Sequence, residues 1–140
     1  MDESLRGTRE GSSDCAFCNR IALGDILIGD QLAVALCDAF PVSPGHVLVA
    51  PRRHEADFFS LADEERAAMF DILLQMQRRL ASERQPDGYN VGLNIGQAAG
   101  QTVPHAHIHL IPRYVGDHPD PRGGVRWVIP EKAAYWRRDG

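Results

Sequence analysis

The most constraining feature of this 140-residue sequence is the stretch 104–111, which reads Pro-His-Ala-His-Ile-His-Leu-Ile. Successive side chains of a β-strand point to opposite faces of the sheet, so this period of two predicts a strand. Its Ala, Ile and Leu side chains belong in an apolar layer. Its other face carries His105, His107 and His109, with about 6.6 Å between neighbours. Such a strand requires partner strands beside it and an apolar element to cover its core face.

The rest of the sequence supplies both of these. Within 61–84 the residues Phe70, Leu73, Leu74, Leu80 and Ala81 recur at helical spacing and predict the buried face of a helix. Ser60 with Asp63 resembles a capping box at the start of that segment. Short apolar runs bounded by Gly, Pro and Asp predict the other strands. The predicted strands are two within 25–39 that join at Gly29-Asp30, followed by 46–50, 89–95 and 104–111. The order predicts an α+β fold, in which one long helix packs on an antiparallel sheet of about five strands and shorter helices complete the domain.

Length and charge limit the class of protein. We expect residues 1–14 to be a flexible tail and residues 15–140 to form one domain. The formal charge of −4 argues against binding to nucleic acid polymers, which need a basic surface. No apolar run approaches the roughly 20 residues that cross a bilayer, and the first 14 residues lack the apolar centre of a signal peptide. We therefore expect a cytoplasmic protein that does not bind membranes.

Two kinds of chemistry fit three histidines on one face. His-x-His is a common pair of zinc ligands, which would make a catalytic metal site. Alternatively, a neutral imidazole attacks phosphorus while neighbouring groups donate hydrogen bonds to the phosphoryl oxygens. The surroundings favour the second interpretation. Asn94 lies on the polar face of the preceding predicted strand, and Gly100-Gln101-Thr102 offers a backbone, an amide and a hydroxyl to phosphate oxygens.

These residues also carry a family resemblance. The segment 100–113, Gly-Gln-Thr-Val-Pro-His-Ala-His-Ile-His-Leu-Ile-Pro-Arg, closely resembles the signature of the histidine triad (HIT) family. Asp38, the run Pro44-Gly45-His46 and Asn94 stand in the order and spacing of the same pattern. The resemblance implies a HIT-like fold, a nucleotide or dinucleotide substrate and a homodimer.

The resemblance also implies roles for the site residues. The middle histidine of the triad, His107, would be the nucleophile that forms a covalent nucleotidyl intermediate. The other positions would serve the phosphate, the leaving group and the ribose. They are His109 and His46 as donors to phosphate oxygens, Asn94 and Gly100 beside the phosphate, Gln101 and Thr102 at the leaving oxygen, and Asp38 at the ribose hydroxyls.

The cysteines raise a separate metal question. Cys15 and Cys18 form a Cys-x-x-Cys pair, which by itself fits zinc or redox chemistry, although no strand precedes it as in thioredoxin-like proteins. The family resemblance implies a structural zinc ion, Zn²⁺, on Cys15, Cys18, His54 and His105, and chemistry that does not depend directly on this zinc. Cys37 stands alone in an apolar segment, and we expect it to be a small buried side chain.

The expected function is hydrolysis of a nucleoside phosphoanhydride, of the diadenosine polyphosphate class, or of a phosphoramidate at the α-phosphorus. A phosphorylase or nucleotidyltransferase that uses phosphate or a sugar phosphate as acceptor is the alternative. A nucleotide-binding regulatory module and a catalytic-zinc hydrolase are two further hypotheses. The segment 114–140 is expected either to close over the site or to cross to a partner subunit.

Overall fold

The computed structural model describes residues 14–137, so nearly all of the predicted tail, residues 1–13, lies outside the described residues. Within these residues the fold contains three α-helices and five strands, besides short 3-10 turns. In chain order they are α1 (Ala16–Ala22), β1 (Ile28–Gly29), β2 (Ala33–Cys37), β3 (Val47–Pro51), α2 (Asp63–Arg84), β4 (Gly88–Gly92), β5 (Ile108–Arg113) and α3 (Pro130–Ala133). Within this part of the chain no helix has the length and hydropathy needed to span a membrane.

The strands form one antiparallel sheet in the order β1-β2-β3-β5-β4. Strand β5 therefore lies inside the sheet, with β3 on one side and β4 at the edge. Its register places His109 opposite Leu48 of β3 and opposite Gly92 of β4. The predicted α+β fold with a five-stranded antiparallel sheet and one long helix is confirmed.

Both faces of the central strands are covered, which explains their nearly continuous apolar sequence. The inner residues of one face pack against α2. They are Ala33, Ala35, Val47, Val49, Ile108 and Leu110, facing Met69, Ile72, Met76 and Leu80 of the helix. On the opposite face Val34, Leu36, Leu48 and Ala50 pack against Cys15 and Phe17 of the α1 region. The short helix α1 thus covers the face of the sheet on which His109 stands.

The long helix begins at a different residue from the one predicted, and different side chains form its buried face. It begins at Asp63, and its first turn is capped by Glu65, whose side chain accepts from the Ala62 N–H at 2.9 Å. Ser60 instead belongs to a 3-10 turn and donates to Asp57, so the predicted Ser60–Asp63 capping box is not formed. The buried stripe of the helix is built largely from methionine and isoleucine, while Phe70 and Leu74, which the prediction placed in the core, are about half exposed.

The histidine segment also differs from its prediction. Strand β5 begins at Ile108, so His109 lies in the strand, whereas His105 and His107 precede it. The apolar side of the segment is as predicted, because Ala106, Ile108 and Leu110 are all buried in the core against α2. Ahead of the strand, the Ala106 N–H donates to the carbonyl of Glu55 at 2.7 Å rather than to a strand partner. The first two histidines thus precede the paired part of β5, and His105 is held instead by its side-chain contact with the Pro51 carbonyl at the end of β3.

Candidate functional site

Two histidines and a carboxylate meet where β3 begins beside β5. His46 directly precedes β3, and its Nε2 lies 2.9 Å from Nδ1 of His109. The same Nε2 lies 3.3 Å from Oδ2 of Asp38, which follows β2. His46 is buried, and its side chain is fixed from behind by the Val42 N–H, which donates to Nδ1 at 3.1 Å. The structure therefore brings together three of the predicted substrate-binding residues.

These contacts determine which ring nitrogens carry protons. Because Nδ1 of His46 accepts from a backbone N–H, the proton of the neutral ring is on Nε2, which donates to Nδ1 of His109. The proton of neutral His109 is then on its own Nε2, as a donor available to a ligand. Burial, together with the neighbouring His107 and His46, lowers the pKa of His109 to about 4 despite the opposing effect of Asp38. Burial likewise lowers the pKa of His46. At neutral pH the pair is an uncharged, directional donor chain.

His107 has the opposite tautomer. Its Nδ1 lies 2.8 Å from the carbonyl of His105, which can only accept, so Nδ1 carries the proton and Nε2 carries the lone pair. The edge of the Phe17 ring packs on this imidazole at 4.9 Å between centroids, and the His109 ring lies at 5.0 Å. Burial lowers the pKa of His107, which keeps the imidazole neutral. A neutral imidazole with a fixed lone pair next to a directed N–H donor suits nucleophilic attack on phosphorus.

The loop that precedes the histidines is held by the amide of Gln101. Its Oε1 accepts from the Gly96 N–H at 2.8 Å, and its Nε2 donates to the carbonyls of Ala56 and Val103. Gly100 has a φ of +95°, which favours glycine, and both Gly100 and Thr102 are exposed. The amide of Gln101 is therefore engaged in holding the loop, whereas the hydroxyl of Thr102 is at the surface.

A cleft of about 600 Å³ opens beside His46 and His109. Asn94 lines it, as do residues of β4 and β5 and, on the outer side, part of the segment 118–128. Asp38 is absent from this lining and instead borders a smaller cavity on the other side of His46. The C-terminal segment thus forms one wall of the cleft within the same chain. The sequence left open whether the segment 114–140 closes over the site or crosses to a partner subunit, and in the structure Gly124, Val125, Trp127 and Val128 line the cleft of their own chain.

The predicted metal ligands also come together. Cys15, Cys18, His54 and His105 each offer one ligand atom, and all four atoms lie within 4.8 Å of one another. The Sγ atoms of both cysteines lie 3.4 and 3.5 Å from Nδ1 of His105, and Sγ of Cys18 lies 3.3 Å from Nδ1 of His54. Zinc bonds of about 2.3 Å to sulfur and 2.0 Å to nitrogen, at tetrahedral angles, place such pairs about 3.5 Å apart. The group fits a tetrahedral zinc ion.

The protonation of His105 supports the same fit. Its Nε2 lies 2.7 Å from the Pro51 carbonyl, so Nε2 carries the proton and Nδ1 presents its lone pair to the cysteines. Asp38, His46 and His109 also place three ligand atoms within 4.8 Å, but there Nε2 of His46 carries the proton that the Val42 contact requires. A metal bound to Nε2 of His46 would move the ring proton to Nδ1, where it would face the Val42 N–H. Hydrogen bonding therefore favours metal at the cysteine group and disfavours it at the His46–His109 pair.

Cys37 lies outside this group and corrects our expectation of a buried side chain. It is exposed at the end of β2, where the strand leaves the covered part of the sheet.

The lowered pKa of His109 predicts how stability depends on pH. The folded pKa of about 4 lies below the ordinary value of 6.5, so the unfolded chain binds the proton first as pH falls. Stability is complete above pH 6.5 and decreases as pH falls towards 4. With allowance for partial exposure, His109 should contribute about 1 kcal/mol per pH unit to this slope. The free energy of unfolding, measured with urea at pH 7, 6 and 5, should fall less steeply with decreasing pH in His109→Gln than in wild type. His118→Gln, at an exposed histidine, is the control, and an unchanged slope in His109→Gln would contradict the expectation.

Comparison with known proteins identifies the family. The HIT domain family model matches residues 22–116. An uncharacterised HIT-like protein of Mycoplasma genitalium is 40% identical, over 74% of this chain and 75% of its own length. Adenosine 5'-monophosphoramidase of Schizosaccharomyces pombe is 37% identical, over 71% of this chain and 74% of its own. AP-4-A phosphorylase of Mycobacterium tuberculosis is 34% identical, over 67% of this chain but only 49% of its own length.

A solved structure agrees with these matches. The crystal structure of a HIT family protein from Bacillus anthracis superposes with a TM-score of 0.70 at 35% identity, covering 76% of this chain and 77% of the other. The resemblance inferred from the sequence is confirmed. The chain belongs to the HIT domain family.

Proposed function

We propose that this protein is a nucleotidyl hydrolase that cleaves its substrate at the α-phosphorus through a covalent intermediate on His107. The observation that carries the proposal is the fixed tautomer of His107. The His105 carbonyl holds the proton on Nδ1 and leaves a lone pair on Nε2. Two similar proteins, named as a monophosphoramidase and a phosphorylase of adenine nucleotides, support this class of reaction.

The reaction has two balanced steps. In the first, the Nε2 lone pair of His107 attacks the α-phosphorus, a P–N bond forms, and the bond from phosphorus to the leaving group breaks. The Nε2–H of His109 donates to a phosphoryl oxygen and stabilises the charge that develops there. In the second step water attacks the phosphorus, and the P–N bond to His107 breaks with its electron pair returning to Nε2. The proton that water loses replaces the one that the leaving group took up through the Thr102 hydroxyl in the first step. The products are a nucleoside monophosphate and the protonated leaving group. Phosphate in place of water would give a nucleoside diphosphate, which is the phosphorylase alternative.

The remaining predicted residues have supporting roles in this proposal. His46 would orient His109 by donating to its Nδ1, and Asn94, which lines the same cleft, would lie beside the phosphate. Asp38 would receive the ribose hydroxyls, because its carboxylate has lone pairs beyond those used by His46 and the Phe40 N–H. Gly100 would permit close approach of the phosphate to the backbone.

The family resemblance implies that Gln101 and Thr102 both contact the leaving group, and their contacts in the structure differ. Both contacts of the Gln101 Nε2 group go to backbone carbonyls, so donation to a leaving atom would require breaking one of them. The Thr102 side chain is exposed beside the same loop. We therefore assign the donor to the leaving group to Thr102 and the bracing of the loop to Gln101.

We propose that zinc occupies the Cys15, Cys18, His54 and His105 group. Four protein ligands leave no open position, so the ion would supply cross-linking rather than Lewis-acid chemistry. His105 would then join two functions, since its ring binds the metal and its carbonyl orients His107.

We propose that the leaving group extends from the phosphorus into the cleft beside His109, although neither His107 nor Thr102 lines that cleft. Its walls include Val91, Ile111, Val125 and Val128 and are mostly apolar. The charged groups along it are already paired. Arg113 donates to Asp117 and Asn90, and Asp120 is paired with Arg122 and Arg137. A polyphosphate chain placed there would lose hydration without finding an unpaired cation among the described lining residues. An uncharged aromatic or aliphatic amine would bury its apolar surface instead.

A substrate panel tests this proposal. We expect adenosine phosphoramidates of an aromatic amine to be turned over with a kcat/KM at least about tenfold above that of diadenosine tetraphosphate, because one well-buried apolar group contributes more than 1.4 kcal/mol. Mass spectrometry identifies the products, with and without added phosphate. AMP as the product in both cases supports hydrolysis, and ADP only with phosphate indicates phosphorolysis. Tight binding of AMP without turnover of any substrate in the panel would favour the hypothesis of a nucleotide-binding regulatory module. Preference for the tetraphosphate would contradict the assignment of the cleft.

The cytoplasmic location and the homodimer also remain proposals. Strand β4 lies at an edge of the sheet, with Val91 partly exposed, so a second copy has access to an unpaired strand. Light scattering of the purified protein distinguishes a dimer from a monomer.

A further inference from the structure

The segment 51–56 holds the loop that bears the proposed nucleophile. Because β5 starts only at Ile108, the residues around His107 lack strand partners and depend on other contacts. Three carbonyls of the neighbouring segment supply them. The Pro51 carbonyl accepts from Nε2 of His105 at 2.7 Å, the Glu55 carbonyl from the Ala106 N–H at 2.7 Å, and the Ala56 carbonyl from Nε2 of Gln101 at 2.9 Å.

An ion pair anchors this segment to the long helix. The guanidinium of Arg53 binds the carboxylate of Glu65 through Nε at 3.1 Å and Nη2 at 3.0 Å. It also approaches Glu55 at 3.6 Å. Glu65 is only 7% exposed and lies in the first turn of α2, which packs on the core face of the sheet. The pair thus connects a rigid element of the core to an irregular segment.

The burial of Glu65 makes this contact energetically consequential. A carboxylate removed from water is stabilised only when it is paired, and bidentate arginine contacts fix direction as well as distance. The hydrogen bonds from Arg53 hold the pKa of Glu65 below its ordinary value despite burial. By contrast, in the pair of Arg79 and Glu83 on the same helix the carboxylate side chain is itself exposed, and such a pair contributes little.

We propose that Arg53 and Glu65 are positioning residues for His107, acting through the hydrogen bond from the Ala106 N–H to the Glu55 carbonyl. The pair fixes the path of residues 53–56, and that path fixes the backbone on the N-terminal side of His107. This inference rests on the proposed function, in which His107 attacks phosphorus. A displacement of the attacking nitrogen by a fraction of an ångström slows attack without weakening substrate binding.

Turnover kinetics test the proposal. In Arg53→Ala and in Glu65→Gln, which keeps an acceptor for the Ala62 N–H, we expect kcat to fall about tenfold with KM within twofold of wild type. Arg53→Lys should recover only part of the loss, because an ammonium group keeps the charge but not the two-point contact with Glu65. The double variant Arg53→Ala/Glu65→Gln should be no slower than either single variant, because the two residues act as one unit. Glu83→Gln, which removes the exposed pair, should match wild type.

Amide hydrogen exchange separates positioning from loss of stability. In Arg53→Ala the Ala106 amide should exchange at least about tenfold faster, while the Ala35 and Val49 amides in the core of the sheet keep their protection. Unchanged kcat, or an equal loss of protection at all three amides, would overturn the proposal. If the wild-type protein turns over no nucleotide, the proposed function fails, and unaltered Ala106 exchange in Arg53→Ala would still refute the anchoring contact independently.

Discussion

Replacing His107 with asparagine should reduce kcat by about 10⁴-fold or more and abolish covalent labelling of the protein by a substrate labelled at the α-phosphate. The amide N–H of asparagine can still donate to the His105 carbonyl, so this variant retains the local hydrogen bond and loses only the lone pair that attacks phosphorus. The measurement is acid-quenched single turnover, followed by detection of the acid-labile phosphoramidate on the protein.

His109→Asn separates the nucleophile from its neighbour. This variant should still label, because His107 keeps its lone pair, but more slowly, because a donor to the phosphoryl oxygens has been weakened. A loss of roughly 10²- to 10³-fold in kcat is typical when one such donor is removed. If His107→Asn accumulates label or turns over within tenfold of wild type, the nucleophile is not His107.

The sequence was sufficient to predict the strands and the core side chains around these residues. A period of two in 104–111 correctly placed Ala106, Ile108 and Leu110 in the core, because each of them packs towards α2. Apolar runs bounded by turn residues located all the strands of the sheet, although the structure gives shorter bounds for several of them. Local chain geometry determines both features, so local patterns can show them.

The positions of the individual histidines depend on more distant contacts. Alternation alone predicted one strand carrying all three, but His105 turns to the Pro51 carbonyl and His107 to the carbonyl of His105. The bonds of the Gln101 amide and the pairing of Arg53 with Glu65 likewise join segments that are distant in sequence. No periodicity encodes such contacts, and only the folded backbone shows which side chains are already engaged.

The exposure of residues on α2 also shows that periodicity does not encode contacts between distant segments. Helical spacing is satisfied by Phe70 and Leu74 and equally by Met69, Ile72 and Met76, and only the second set faces the sheet. Of the predicted residues, Leu80 is buried and Leu73 packs against the core, whereas Phe70 and Leu74 are about half exposed.

The metal group is the part of the site that the sequence located only with the help of the family resemblance. Cys15 is the N-cap of α1 and Cys18 lies in its first turn, but His54 and His105 come from segments that follow β3 and precede β5. Their convergence ties the first helix to the loop of the proposed nucleophile. Loss of the ion should therefore affect the whole fold as well as the site.

Removing one cysteine of this group should release the metal and destabilise the protein. We expect the wild-type protein to contain one equivalent of zinc, and Cys18→Ser to contain less than about a tenth of that. The loss of a four-ligand structural site should lower the free energy of unfolding by several kcal/mol, which for a domain of this size corresponds to a fall in Tm of at least about 10 °C. Elemental analysis and thermal unfolding measure the two effects. Cys37→Ser is the matched control, because Cys37 is exposed and lies outside the group, and it should retain both zinc and Tm. A full equivalent of zinc in Cys18→Ser, or a Tm unchanged by chelation of the wild type, would show that these four residues do not hold a structural metal.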